Sequence, residues 1–295
     1  VVTIGAFDGV HRAHRQLLIT IGQRARLLNL ASVVISFEPL PREYFLRDQL
    51  LPRLSSAREK FELIKACDID HVVLLRFNAR LASMSAEDFI TRILIERLKM
   101  REIWVGEDFR FGQWRHGDFG LLKKMSASLG FHAETFAPFL MEGERISSSQ
   151  IRERLACDDY VGAADLLGRP YSISGKVVRG EQLGRKLGYP TANLRLHRRK
   201  SPVEGIFAVR VHGVETQPMP GVASLGTRPT INGTEPLLEA HLFNFDKDIY
   251  GKSIEVEFVK KLRNEIKFEN LDLMVKQIHR DAEQARILLG VVSEK

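Results

Sequence analysis

The chain has 295 residues, 44% of them hydrophobic and 27% charged, with a net charge of +7. At roughly 150 residues per domain this length suggests about two domains, and the composition excludes a largely disordered chain. Charged residues interrupt every apolar run before the roughly 20 residues a membrane span needs, and the opening VVTIGAF lacks the features of a signal peptide.

The 2 cysteines, Cys67 and Cys157, cannot form a disulfide framework or a zinc site of the usual spacing, so a cytoplasmic protein with reduced thiols is expected. The chain opens on Val1 and at once on a strand, so a preceding N-terminal stretch is expected as well. The charge is uneven, +1 over residues 1–167 and +6 over 168–295, which is compatible with nucleic acid and equally with small phosphorylated ligands.

Short runs rich in Val and Ile at 1–7, 32–37, 71–77 and 102–106 read as strands, with helical patterns at 14–29, 55–67 and 85–99 between them. In the last of these, Phe89, Ile93 and Leu94 recur at a spacing that lays one face on a sheet, and Ser85 ahead of Asp88 suits an N-cap. A further helix is expected at 149–167. This alternation predicts an α/β domain with a parallel, doubly wound sheet, whose ligands bind at the carboxyl ends of the strands.

At LLGRPYSISG the pattern changes. Short strands at 171–179, 205–212, 219–225, 237–245 and 253–260, broken by Gly, Pro and Asn, predict an antiparallel barrel or sandwich. A helix at 271–289 closes the chain, with Asn270 as its N-cap and Leu271, Val275, Ile278, Ala282 and Ala285 as its apolar stripe. The domains are therefore expected at 1–167 and 168–295. The one dense basic run, His197 to Lys200, reads as a solvated loop.

Six segments carry candidate chemistry. GAFDGVHRAH runs from the first strand into a helix, where His11 and His14 face the same way beside N–H groups that favour an anion, a pair equally compatible with a surface or packing role. In ISSSQIR, Ser148 or Ser149 can cap a helix with Arg152 one turn later, an arrangement suited to polyphosphate and equally to ordinary capping. GEDFRFG is strand-end loop material.

The remaining three lie in the second half. GRKLGYPTANL combines a Gly-rich basic loop, beginning at Gly184, with a turn in which Thr191 and Asn193 offer hard oxygens of the kind Mg²⁺ accepts. In LLEAHLFNF, alternation puts Leu238, Ala240 and Leu242 on one face and Glu239, His241 and Phe243 on the other. Glu239 is then either a general base for a hydroxyl or a solvent-facing residue. GVASLGTRPT reads as a loop with Arg228 available for phosphate.

Together these residues resemble a known family. GAFDGVHRAH and ISSSQIR resemble the paired signatures of nucleotidylyl transferases, and SFEPLPREYF, SMSAEDF and GEDFRFG are similar to the FMN adenylyltransferase module of bacterial FAD synthetases. GKVVRGEQLGRKLGYPTANL, SPVEGIFAVRV, GVASLGTRPT and LEAHLFNFDKDIYGK look like the bacterial riboflavin kinase domain, in the same order. The departures are Ala13 for Gly, Ala6 for Asn, Leu40 for a polar residue, Ser149 for Thr and Ser224 for Asn.

The resemblance implies an α/β nucleotidylyl-transferase domain followed by a riboflavin kinase β-barrel with a C-terminal helix. It implies two ATP-dependent steps, riboflavin to FMN and FMN to FAD. Glu239 would be the base of the first, with Thr191 and Asn193 holding Mg²⁺ and phosphates. His11, His14, Ser148, Ser149 and Arg152 would bind the phosphates of the second, with Glu38 and Asp108 near flavin or nucleotide. Partners are then small molecules, with no nucleic acid and no membrane, and a homo-oligomer stays open. The alternatives are a kinase without adenylylation, a nucleic-acid-binding protein and a flavin carrier. The first would yield no pyrophosphate from FMN and ATP, the second would want aromatic residues interleaved with Lys and Arg, and the third has no need of two phosphate-type loops.

Overall fold

The computed structural model describes residues 1–46, 50–141, 143–180, 184, 187–230 and 233–291, with only the backbone described at 228–230 and 233–235. Two units emerge, Val1–Leu51 with Ala57–Ser147, and Pro52–Ser56 with Ser148–Lys295. The compact units thus divide at 147/148, whereas the sequence pattern changes after 167.

The first unit begins with β1 (Val2–Ile4), α1 (Arg12–Leu27), β2 (Val33–Glu38), the short α2 (Pro41–Phe45), α3 (Ala57–Lys65), β3 (His71–Arg76) and the one-turn α4 (Ala79–Ala82). It continues with α5 (Ala86–Asp88), which runs on into a π-wound stretch, Phe89–Arg97, then β4 (Glu102–Gly106), α6 (Phe119–Leu129), β5 (His132–Phe136) and the small ribbon β6 (Leu140–Met141) and β7 (Glu144–Arg145). The five-stranded sheet has the order β3-β2-β1-β4-β5, and its pairings are parallel. Its strand order reverses between β1 and β4, so the crevice for a ligand opens at the carboxyl ends of those two strands.

α1 buries Leu17, Leu18, Ile21, Gly22 and Ala25, the three-and-four spacing of a helix laid on a sheet. Ser85 caps its helix as its sequence position suggests, accepting the N–H of Asp88 at 3.0 Å. The α6–β5 pair lies outside the elements read from sequence. β5 is the edge strand beside β4 among the described residues, and His132 and Glu134 give it a half-polar pattern that does not stand out as a strand.

The second unit opens with α7 (Ser148–Ala156) and α8 (Tyr160–Leu167), where one helix was expected. Asp158 at φ 59° breaks the run, and the Asp159 carboxylate accepts from the N–H of Gly162 to start the next helix. There follow β8 (Ser172–Val178), β9 (Ala192–Arg195), β10 (Gly205–His212), β11 (Met219–Thr230), β12 (Gly233–Leu242), β13 (Ser253–Arg263) and α9 (Leu271–Leu289).

Of the two architectures open from sequence, the fold is the barrel. It closes in the order β10-β11-β12-β9-β8-β13, with antiparallel pairings. Its interior is filled by side chains such as Leu194, Phe207, Val209, Leu225, Leu238, Ala240 and Phe258. On its outer face Ala208, Val222 and Phe243 pack against Ala282 and Ala285 of α9.

Three readings are corrected. The PTAN segment is not a turn throughout, because Ala192 already begins β9. GVASLGTRPT is strand β11 and not a loop, and the Arg228 side chain lies outside the described residues. Arg198 of the basic run is only 7% exposed, donating from Nη1 to the Arg53 carbonyl at 3.2 Å and the Tyr171 hydroxyl at 3.1 Å, so the run is not uniformly solvated. On α9, Asn270 caps by accepting from the N–H of Leu273 at 2.9 Å, while Leu271 of the expected stripe is exposed.

Candidate functional sites

In the first unit, β1 delivers the chain into the loop Gly5–Val10 and then into α1. Phe7 (φ 48°) and Val10 (φ 41°) adopt left-handed backbone, which is costly for a bulky or β-branched residue, and both are buried. Core packing therefore holds a loop that local preference would not.

His11 is the N-cap of α1 and only 4% exposed; its Nδ1 accepts from the N–H of His14 at 3.4 Å. An acceptor at Nδ1 assigns the ring proton of neutral His11 to Nε2, which leaves a donor on the opposite side. The His11 and His14 rings stack at 3.6 Å between centroids, and Phe7 meets His14 edge-on at 5.0 Å.

Burial first, and then the neighbouring His11, Arg145 and Lys60, hold the His14 imidazole well below the usual histidine range, so it is neutral at pH 7. Its Nδ1 is fully buried without a hydrogen-bond partner, although the residue as a whole is half-buried. Two close imidazoles at the N-terminus of a 16-residue helix make a place for oxyanions.

At the end of β4, Asp108 accepts from Arg145 Nη2 at 3.0 Å, and this bond is the main cause of its lowered pKa. Phe109 stacks on Phe111 at 5.3 Å, and the buried Phe111 packs into the core. Glu38 ends β2, half-buried. Leu40, where the family pattern has a polar residue, is buried.

α7 begins at Ser148, so Ser147 precedes it and Ser148 and Ser149 occupy its first turn rather than the cap position read from sequence. Arg152 Nε donates to the Pro52 carbonyl at 2.7 Å, an anchor within the second unit that sequence reading did not anticipate.

The second unit carries a cavity of about 670 Å³, within the range of small-molecule sites, on the outer barrel face beside α9. One rung of the sheet crosses it: Asn193 of β9 pairs with Glu239 of β12, which pairs with Ser224 of β11. Strand alternation sends Leu238, Ala240 and Leu242 into the barrel and leaves Glu239 and His241 lining the cavity with Thr191 and Gly184, so the expected kinase residues do converge. Phe243, expected on the same face as Glu239, is there but buried under α9.

Gly184 accepts from the N–H groups of Leu187 (3.0 Å) and Tyr189 (2.8 Å), and a Cβ at 184 would collide with the Tyr189 carbonyl oxygen. A side chain at 184 would therefore force this tight turn to shift. Its neighbours 181–183 and 185–186 lie outside the described residues.

Sequence reasoning undervalued other lining residues. His241 Nδ1–H donates to the Pro190 carbonyl at 2.9 Å, and burial lowers its pKa. Tyr189 hydrogen-bonds His279 of α9, tying the turn to the closing helix. Arg263 is held by Asp281 through Nη2 at 2.6 Å and Nε at 3.0 Å, and Ser224 Oγ donates to Glu265 at 3.3 Å. No local pattern marks such long-range partners.

Residues 1–150 match the FAD synthetase family and residues 167–289 match the riboflavin kinase family. The bifunctional riboflavin kinase/FMN adenylyltransferase of Escherichia coli (strain K12) is 45% identical over 99% of this chain and 93% of its own length. This chain belongs to the bifunctional riboflavin kinase/FMN adenylyltransferase family. The Haemophilus influenzae member is 44% identical over 97% of this chain and 92% of its own length, and the Pseudomonas fluorescens member 42% over 98% and 92%. A solved Streptococcus pneumoniae structure, described as a macrolide-efflux protein, shares the fold with a TM-score of 0.76 and 30% identity over 97% of this chain and 93% of its own. Among the described residues no helix is long and apolar enough to cross a membrane. The family model for FAD synthetase thus covers the parallel-sheet region and that for riboflavin kinase covers the barrel and the closing helix.

Proposed function

We infer that the chain converts riboflavin and ATP to FMN and ADP on the barrel, then FMN and a second ATP to FAD and pyrophosphate in the N-terminal domain. The observation that carries the reading is the rung Asn193–Glu239–Ser224 across the cavity of a chain whose two halves match the two family domains. Functionally the domains are 1–167 and 168–295, and ATP dependence together with reduced thiols at Cys67 and Cys157 fits a cytoplasmic enzyme.

At the barrel site Glu239 takes the proton of the ribityl 5′-hydroxyl as that oxygen attacks the γ-phosphorus of ATP. Thr191 and Asn193 hold the phosphate side of the nucleotide, and the turn at Gly184 lets backbone approach it. The donor set fits Mg²⁺: a hydroxyl, a carboxamide oxygen and a nearby carboxylate are hard oxygens, and Gly180 leaves room for the Asn193 amide where a Cβ would collide with it. When bound with ATP, Mg²⁺ supplies charge neutralisation at the phosphates.

At the adenylyl site the FMN phosphate attacks the α-phosphorus of ATP and pyrophosphate leaves. His11 and His14 hydrogen-bond the oxygens on which charge grows, and no covalent intermediate is needed. Ser148, Ser149 and Arg152 are assigned to phosphates by their signature, and Glu38 and Asp108 to the neighbourhood of flavin or nucleotide.

The test is incubation with riboflavin, ATP and Mg²⁺, with riboflavin, FMN and FAD resolved over time. FMN rising before FAD supports both steps in series, and untouched riboflavin in a folded sample refutes the reading. A second reading, kinase activity without adenylylation, is motivated by Ala13 and Ala6 in the first signature. FMN and ATP alone separate the two, because only an adenylyltransferase then releases pyrophosphate.

A further inference from the structure

Lys60 of α3 is 1% exposed, among the most buried large side chains of the chain. Burying an ammonium is expensive, and a Met of similar length would fill the same space without that cost. Its three donors meet three oxygens: the Ala6 carbonyl at 3.3 Å, Ser36 Oγ at 3.0 Å and the Phe37 carbonyl at 3.2 Å. Ser36 Oγ itself donates to the Ala6 carbonyl at 3.1 Å. These acceptors lie just past the end of β1 and at the end of β2, and Ala6 sits in the loop that leads to His11, directly before the strained Phe7. The signature motifs in the sequence do not include Lys60.

We propose that Lys60 is a positioning residue for adenylyl transfer: its ammonium clamps the turn after β1 to the end of β2 and so presents His11 and His14 to the phosphates in one geometry. The inference rests on the adenylyl-site reading above. Electrostatics supports it independently. Lys60 from α3 and Arg145 from β7, with His11 on the same turn, are the groups that add to burial in keeping His14 neutral, and Phe7 covers the ring edge.

The test compares the full-length protein with Lys60→Met, Lys60→Arg and Ser36→Ala. In Lys60→Met, kcat for FMN to FAD should fall by about 10²-fold, the cost of ~1 Å of misplacement. The KM for FMN should stay within about threefold, and riboflavin to FMN, at the separate barrel site, should be unchanged. In protein carrying ¹³C-labelled histidine, the His14 ring signal, assigned with His14→Gln, should titrate at higher pH in Lys60→Met than in wild type. Lys60→Arg, which keeps charge and donors, should recover part of the rate.

Adenylylation within threefold of wild type in Lys60→Met would overturn the proposal. So would a loss accompanied by an unmoved His14 titration, which marks a merely structural lysine. Should Lys60→Met lose riboflavin kinase activity too, Ser36→Ala decides, because it cuts one strut of the clamp. There a fivefold or larger fall in adenylylation alone supports the proposal, and no change overturns it. A wild-type chain that makes no FAD from FMN and ATP would instead remove the adenylyl-site reading itself.

Discussion

At the start of α1 the polar groups are two stacked imidazoles at the N-terminus of a helix; on the outer barrel face they are a carboxylate, a carboxamide and hydroxyls on adjacent strands. Both arrangements suit phosphorus chemistry, and on the function proposed above the difference follows from the nucleophile. The phosphate of FMN is already largely ionised at neutral pH, its second pKa lying near ~6, so the first site needs charge stabilisation and no base. The ribityl hydroxyl keeps its proton until it attacks, so the second needs a carboxylate within reach. The burial that keeps His14 neutral belongs to the same logic, because a neutral ring donates or accepts hydrogen bonds without bringing a full charge into the crevice.

Breaking the comparison at the barrel has the largest expected effect. Glu239→Gln keeps size and loses the base, so FMN formation should fall by about 10²–10⁴-fold while FMN to FAD conversion holds, as chromatography of the flavins will read. His11→Ala with His14→Ala should do the reverse, lowering FAD formation by about 10²–10³-fold and leaving riboflavin phosphorylation intact. Loss of both activities in a folded protein from either change would refute the two-site assignment.

A smaller effect is expected at Gly184. A Cβ there displaces the Tyr189 carbonyl, so Gly184→Ala should raise the KM of the kinase step for ATP about tenfold, with the adenylylation constants unchanged in the same preparation. The smallest concerns Ala13, in the first turn of α1 where the family pattern has Gly. Ala13→Gly removes a methyl that the proposed adenylyl site would set near the nucleotide, and costs the helix about 1 kcal/mol. The KM for ATP in adenylylation should drop by less than about threefold; a larger gain would mark Ala13 as a brake on the first site.

Much of the fold was legible because its signals are local. Period-two alternation put Glu239 opposite Leu238 and Ala240, and the structure keeps that division. Ser85 and Asn270 announced their helices through caps that act over three residues. The break between α7 and α8 was missed because left-handed Asp158 makes it without a Gly or Pro to mark it, and β5 because an edge strand with His132 and Glu134 carries a weak apolar pattern.

The sequence by itself determined the two classes of architecture, the closing helix and the motifs that point to two phosphate sites, since periodicity, capping and spacing act between near neighbours. Tertiary structure alone decided that the barrel closes and that Asn193, Glu239 and Ser224 share one rung, because strand register joins residues far apart in the chain. It also decided that Arg198 and Lys60 are buried and that His14 is held neutral. Desolvation depends on everything packed around a group, and no local pattern of residues specifies that.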